Sequence, residues 1–179
     1  MTERPRGKKP PKSYTDPFLS HDGATSEQIC MNPIGVVHSP FKERYAAPRQ
    51  PSLGESTTAT IELNSGENLE QAVKDLESFS HIWVIYWMHL NHGWNPTVIP
   101  PRGPKERRGV LATRAPHRPN SIGLSAVKLI SVKKRVLQIE TLDMLDGTPV
   151  LDIKPYIPYA DSLPEASHGW LHDAGLIPS

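Results

Sequence analysis

The sequence predicts a mainly β fold: a small closed or nearly closed barrel with one packed helix. Three observations predict it. Strand-like apolar segments outnumber helix-like ones by about six to one, and turn residues separate them at short intervals. Proline makes up 19 of 179 residues, about twice the usual share of roughly 5%, and a proline-rich chain resists long helices. Hydrophobic residues reach 37% and charged residues 22%. That composition and length suit one domain with a proper core, and are too little for two full-sized ones.

The elements follow in order. Residues 1–31 hold few large apolar side chains, no period and many charges, so they read as a disordered tail before a domain at 32–179. Pro33 to His38 is a short strand. Phe41 to Leu53 contains Pro48 and Pro51 and reads as a loop. Thr57 to Leu63 is rich in β-branched residues and reads as a strand. Asn64-Ser65-Gly66 is a helix start signal, and Leu69, Val73 and Leu76 recur at helical spacing as a core-facing stripe. Residues 81–90 carry bulky groups at every position, which predicts a strand buried on both faces. Residues 94–108 form a long exposed loop of Pro, Gly and Arg, and long loops in compact domains tend to be functional. Gly109 to Thr113 is a short strand. Ile122–Val132 and Val136–Leu142 alternate and meet at Lys133-Lys134-Arg135, a hairpin. Asp146-Gly147-Thr148-Pro149 is turn chemistry, Val150–Ile153 a last strand, and the chain from Tyr159 is irregular.

Several classes are excluded or disfavoured. The longest apolar run, Ile82 to Met88, is too short to cross a bilayer, so no transmembrane helix and no membrane partner are expected. The basic N-terminus lacks an apolar h-region and is not a secretory signal. Cys30 is the only cysteine, which excludes an internal disulfide framework and a cysteine zinc cluster and fits a reducing cytoplasm. No GxGxxG, GxxxxGK[ST] or GxSxG motif is present. His89 and His92 stand three apart with His81 nearby, but strand geometry separates them and no carboxylate completes a set. No metal is expected, and His81 and His89 read as ordinary hydrogen-bonded strand residues.

Net charge is +1, yet the charges are unevenly spread. Residues 1–12 carry Arg4, Arg6, Lys8, Lys9 and Lys12 against Glu3. Residues 102–118 carry Arg102, Lys105, Arg107, Arg108, Arg114 and Arg118 against Glu106. A dense basic loop attracts a polyanion locally even on a neutral protein, although a solvated surface loop has the same composition. Three proline-rich polar clusters stand out. Pro48-Arg49-Gln50-Pro51 projects an Arg fork from a stiff loop, suited to a carboxylate or a polar edge. Thr113 to Gly123 places two arginines, a histidine and an asparagine after a buried strand. Asp143 to Tyr156 includes Asp146, which can accept from ribose hydroxyls or from an amino group. An Asx-turn explains Asp146 as well. Trp83, Tyr86, Trp87 and Trp94 could stack on a base, with core packing the better reading of the first three.

These clusters, in this order, resemble the TrmO (YaeB-like) family. The matching stretches are IGVVHSPFKERYAAPRQP (34–51), FSHIWVIYWMH (79–89), GWNPTVIPPR (93–102), GVLATRAPHRPNSIGLS (109–125) and LDMLDGTPVLDIKPYIPYADS (142–162). The resemblance implies a single-sheet β-barrel, a homodimer, and an S-adenosylmethionine-dependent tRNA methyltransferase. The acceptor implied is N6 of N6-threonylcarbamoyladenosine, beside the anticodon. Carried over residue by residue, the cofactor site is Pro48, Arg49, Gln50, His89, Arg114, Leu124, Asp146, Gly147, Thr148 and Pro149. N6 of that base is part of a urea-like group, so a general base should help, and Asp146 and His89 are the candidates. Arg102, Lys105, Arg107, Arg108 and Arg118 are expected to bind phosphates, with strongly salt-dependent affinity. Residues 1–31 lie outside the resemblance. Some relatives continue into an extra C-terminal domain, whose share of tRNA binding would here fall to the barrel, a partner subunit or the basic tail. Two other classes remain open on residue chemistry alone: a non-catalytic RNA-binding barrel, and a regulatory protein that binds S-adenosylmethionine without transferring its methyl group.

Overall fold

The computed structural model describes residues 29–43, 46–48, 56–140 and 142–176. The chain divides into two units, Met1–Met31 and Asn32–Ser179, and the fold is that of the second. The expected disorder of 1–31 falls almost wholly outside the described residues, and so do Arg49 and Gln50.

Six strands form one closed sheet: β1 (Gly35–His38), β2 (Thr58–Leu63), β3 (His81–Trp87), β6 (Ile122–Lys133), β7 (Val136–Glu140) and β8 (Pro149–Pro155). Their order around the barrel is β1-β2-β7-β6-β3-β8, with β8 pairing back onto β1, and every pair is antiparallel. An even number of alternating strands lets the seam close antiparallel and leaves no sheet edge to protect. Register shifts between Ile85 and Tyr86 and between Leu129 and Ser131 mark irregularities of the kind that bend strands around a small barrel. Gly35 sits where β1 and β2 approach closely. A Cβ there would meet the Glu62 carbonyl oxygen at 2.5 Å and the Leu63 Cα at 2.9 Å.

Alternation supplies the core. Val37, Ile61, Leu63, Ile82, Val84, Val127, Leu137, Ile139 and Val150 all point inward, each contributing about 1.5–3 kcal/mol by leaving water. Leu69, Val73 and Leu76 pack against this core, as the stripe predicted. They do not share one helix, however. α1 covers only Leu69–Ala72, and a 3-10 turn follows at Leu76–Ser78. Asp75 between them takes the left-handed conformation (φ 66) and stops helix propagation.

Three further expectations are corrected. β3 is not buried on both faces: Ile82, Val84 and Tyr86 are inside, while His81 and Trp87 are exposed and Trp83 is only half-buried, its ring tilted on Tyr156 at 5.4 Å. A barrel wall has only one interior, so the outer face of β3 stays in contact with water. The segment expected as a strand at Gly109–Thr113 is the end of a two-stranded ribbon, β4 (Thr97–Val98) with β5 (Arg108–Gly109), followed by a 3-10 turn at Val110–Ala112. The C-terminal stretch contains two short helical turns, α2 (Pro158–Asp161) and α3 (Trp170–Asp173).

Candidate functional site

Strand direction gathers the site. In an alternating barrel every second connection lies on the same rim. Residues 39–57, 88–121 and 141–148 connect β1 to β2, β3 to β6 and β7 to β8, so all three share one rim. The other rim carries the 64–80 connection and the tight Lys134-Arg135 turn, where Lys134 is left-handed (φ 54). The described parts of the proline-rich clusters, Pro48, 113–121 and 143–148, fall on the three connections of the first rim, and the third cluster continues into β8. Buried Leu142 and Met144, with Phe41 and Met88 packed against the core, stop the barrel mouth beneath them. The barrel interior is thus filled by side chains.

Polar side chains stitch the connections together. The Ser39 backbone N–H donates to Asp146 Oδ1 at 3.0 Å, and the Ser39 hydroxyl donates to the Met144 carbonyl at 3.0 Å. Backbone bonds from Asp146 N–H to the Phe41 carbonyl and from Gly147 N–H to the Val37 carbonyl, both 2.8 Å, run alongside. The Asp146-Gly147-Thr148-Pro149 turn is thus tied to the exit of β1, with Gly147 left-handed (φ 73) at its tip. Asp146 Oδ1 is spent on this tie, and Oδ2 takes no other hydrogen bond among the described residues.

A second tie joins the same segment to β6. The Ser125 hydroxyl, 2% exposed, donates to Asp143 Oδ1 at 2.6 Å and lies 3.2 Å from the Tyr86 phenol. Burial pushes the Asp143 carboxyl above its usual 3.8, and the Ser125 bond and the nearby Arg114 charge hold it down in part. Burial, with the Asp143 charge second, pushes the Tyr86 phenol up. Sequence reasoning misses this trio. Its only signal there is a serine next to Leu124 and an aspartate three before Asp146, and the pairing across the rim appears only once the strands are in register.

The sign of the Asp143 shift gives a first prediction. The folded state holds the proton more tightly than the unfolded state, so stability falls as pH rises from the unfolded value near 3.8 through the raised folded value. Asp143→Asn keeps an acceptor for Ser125 and removes the buried charge. Its melting temperature is expected to exceed wild type at pH 7, and the gap is expected to close as pH falls toward 4. A gap independent of pH would contradict this reading.

The remaining residues singled out in the sequence are placed as follows. Arg114 is exposed in the β3–β6 connection and makes no hydrogen bond or ion pair among the described residues. His89 is half-buried just beyond β3, its ring edge-on to Trp87 at 6.2 Å. Its ring nitrogens have no hydrogen-bond partner among the described residues, unlike those of His81, whose Nδ1 lies 3.0 Å from the Ser80 hydroxyl. Leu124 points outward from β6 opposite Ile85 and is 57% exposed. Thr148 is buried, and Pro48 lies in the β1–β2 connection. Arg102, Lys105 and Arg107 are exposed between β4 and β5. Arg108 is engaged internally, paired with Glu106 at 2.6 Å and placed over the Trp170 ring at 5.3 Å. Arg118 turns inward, its Nη1 donating to the carbonyls of Val110, Thr113 and Ala115 at 2.8–3.4 Å. No group of three potential metal ligands occurs among the described residues.

The chemistry of the donor set fits S-adenosylmethionine. Asp146 offers one open carboxylate oxygen to a ribose hydroxyl, Arg114 an unpaired guanidinium to a carboxylate, and Leu124 an exposed apolar surface.

The fold and rim define the class: a small closed antiparallel barrel with three polar connections on one rim. A family model, the tRNA-methyltransferase O N-terminal domain, matches residues 36–162, and the chain belongs to this TrmO family. A tRNA (adenine(37)-N6)-methyltransferase of Escherichia coli K12 is 47% identical over 148 residues, covering 79% of this chain and 63% of the relative. A probable S-adenosyl-L-methionine-binding protein of Pyrococcus abyssi is 44% identical over 143 residues, covering 80% and 76%. The crystal structure of TrmO from Pseudomonas aeruginosa superposes with a TM-score of 0.68 at 40% identity, covering 80% of this chain and 62% of that one. The chain thus spans about three fifths of the length of the E. coli and P. aeruginosa proteins.

Proposed function

We propose that this protein is an S-adenosylmethionine-dependent tRNA methyltransferase, acting on N6 of N6-threonylcarbamoyladenosine beside the anticodon. The observation that carries the reading is the placement of Asp146, Arg114 and His89 in the connections of one rim, with Leu124 at the adjoining end of β6, in a chain of the TrmO family. When bound, S-adenosylmethionine supplies a methyl group activated by its sulfonium. Arg114 binds the methionine carboxylate, Asp146 Oδ2 a ribose hydroxyl, and Leu124 with the 146–149 turn flanks the rest, together with Pro48, Arg49 and Gln50. Catalysis then rests largely on orientation of the reactants. The acceptor nitrogen must lose a proton. His89 is the better of the two candidate bases, since neither ring nitrogen is engaged among the described residues whereas half of Asp146 is committed to Ser39.

Arg102, Lys105 and Arg107 hold tRNA phosphates in this reading, while Arg108 and Arg118 shape the loop that presents them. Replacing Arg102 and Lys105 by glutamine is expected to weaken tRNA binding. The slope of log K against log salt should flatten by about 0.7–0.9 for each phosphate left without its cation, with cofactor affinity unchanged. Equal loss of both affinities in a titration series would sink this division of labour. A homodimer working in the cytoplasm completes the proposal. The exposed apolar side chains Trp87 and Ile122, paired across the outer wall of β3 and β6, support an association surface. Among the described residues no helix is long and apolar enough to cross a membrane.

A further inference from the structure

The β3–β6 connection holds a concavity that the cofactor and phosphate assignments leave unused. It is a recess of about 430 Å³ lined by His92, Gly93, Trp94, Asn95, Val98 and His117, within the size range of small-ligand sites. Its lining is rich in planar groups: an indole, a carboxamide with both donor and acceptor, and two imidazoles. No carboxylate, lysine or arginine is among the lining residues, a composition that suits the flat, hydrogen-bonding edge of a base. Trp94 keeps 48% of its surface exposed.

The recess is held by a built frame. Asn91 N–H bonds the Met88 carbonyl at 3.0 Å, and Val110 N–H bonds the Pro96 carbonyl at 2.9 Å. Thr97 and Val98 pair with Gly109 and Arg108. On the other side, Arg118 gathers the carbonyls of Val110, Thr113 and Ala115 and so fixes the path of the segment carrying His117. The Trp170 indole N–H bonds the Ala112 carbonyl at 2.8 Å and braces the turn from behind. Its neighbours are also informative. His92 follows His89 by three residues and His117 follows Arg114 by three, so the segments that line the recess also carry two residues of the proposed methyl-transfer site. Exposed Arg107 donates to Thr97 Oγ1 at 3.3 Å, next to Val98 of the lining.

We propose that this recess is a nucleobase subsite, where Trp94 stacks on an unpaired base adjoining the target adenosine and Asn95 reads its edge, with Arg107 near the linking phosphate. The proposal rests on the tRNA methyltransferase reading and adds to it the source of loop specificity. An aromatic plane beside cationic groups is how single-stranded nucleic acid is held, and base–aromatic stacking tolerates or selects bases according to the polar groups around it.

The test uses the full chain, a synthetic anticodon stem–loop bearing threonylcarbamoyladenosine, and the same RNA with the neighbouring base removed. Trp94→Ala is expected to weaken binding of the intact stem–loop by about 5- to 150-fold, and Trp94→Phe to recover most of the loss. Wild type and Trp94→Ala are expected to bind the abasic RNA equally. The cofactor dissociation constant and melting temperature of Trp94→Ala should match wild type. Full-strength binding of the intact stem–loop by Trp94→Ala overturns the proposal. So does a persistent difference on abasic RNA, or an equal loss of cofactor affinity, which would assign the recess to the cofactor. Wild type unable to hold the stem–loop overturns it outright. Methyl transfer is scored on wild type alone, so failure of the subsite and failure of the enzymatic reading are separable.

Discussion

Arg114→Ala is expected to weaken S-adenosylmethionine binding by about 10- to 150-fold, corresponding to the roughly 1.5–3 kcal/mol carried by hydrogen bonds to a charged group. The guanidinium is exposed on the site rim and has no intramolecular hydrogen bond to lose among the described residues, so the fold is expected to survive, its melting temperature at pH 7 falling only by what the Asp143 carboxyl loses with the nearby charge. Arg114→Lys should recover only part of the affinity, because an ammonium restores the charge but not the planar fork. A secondary effect is expected at Asp143, whose carboxyl is held down in part by the Arg114 charge and should titrate higher still in the alanine variant. Isothermal titration with the cofactor checks the main effect. Affinity equal to wild type would remove Arg114 from the site.

Gly123→Ala is expected to destabilise the barrel by about 1–3 kcal/mol, the usual cost of overpacking a filled core, read as a drop in melting temperature of several degrees. Gly123 lies opposite Tyr86 on the β3–β6 pair, and a Cβ there would collide with Cζ and Cε2 of the phenol ring. The ring cannot swing away cheaply, since it is buried and its hydroxyl lies against Ser125. Moving it would disturb the Ser125–Asp143 tie as well, so cofactor affinity should fall together with stability. In a Tyr86→Ala background the alanine at 123 should cost much less, and a double-mutant cycle measures that coupling. Additive effects would show that the ring is not what excludes a side chain at 123.

Those two residues also show what is legible in the sequence. The strands at Thr58–Leu63, Ile122–Lys133 and Val136–Glu140, and the turn between the last two, follow from alternation and turn residues, because side-chain period alone decides them. The apolar stripe Leu69, Val73, Leu76 is legible as core-facing, but its helix is not: a left-handed Asp75 is imposed by the need to turn onto β3, which local spacing does not encode. Residues 81–87 mislead because bulky side chains lie on both faces, whereas only closure of the barrel determines that Trp83 and Trp87 stay outside. Of the candidate site, Arg114, Asp146 and the 146–149 turn stand out as polar groups in proline-rich loops. Their assembly on one rim follows from strand order. The commitment of Asp146 to Ser39 joins segments 107 residues apart, that of Asp143 to Ser125 spans 18 residues across the β6–β7 hairpin, and that of Arg118 to backbone carbonyls folds one loop back on itself.

The central claim is methyl transfer to a modified tRNA base, and mass spectrometry of nucleosides tests it most directly. Threonylcarbamoylated tRNA and unmodified tRNA would each be incubated with the protein and S-adenosylmethionine, then digested. One added methyl on threonylcarbamoyladenosine, absent from the unmodified control, is the expected result. Cofactor binding without any methylated nucleoside would contradict it and favour an S-adenosylmethionine-binding regulatory protein.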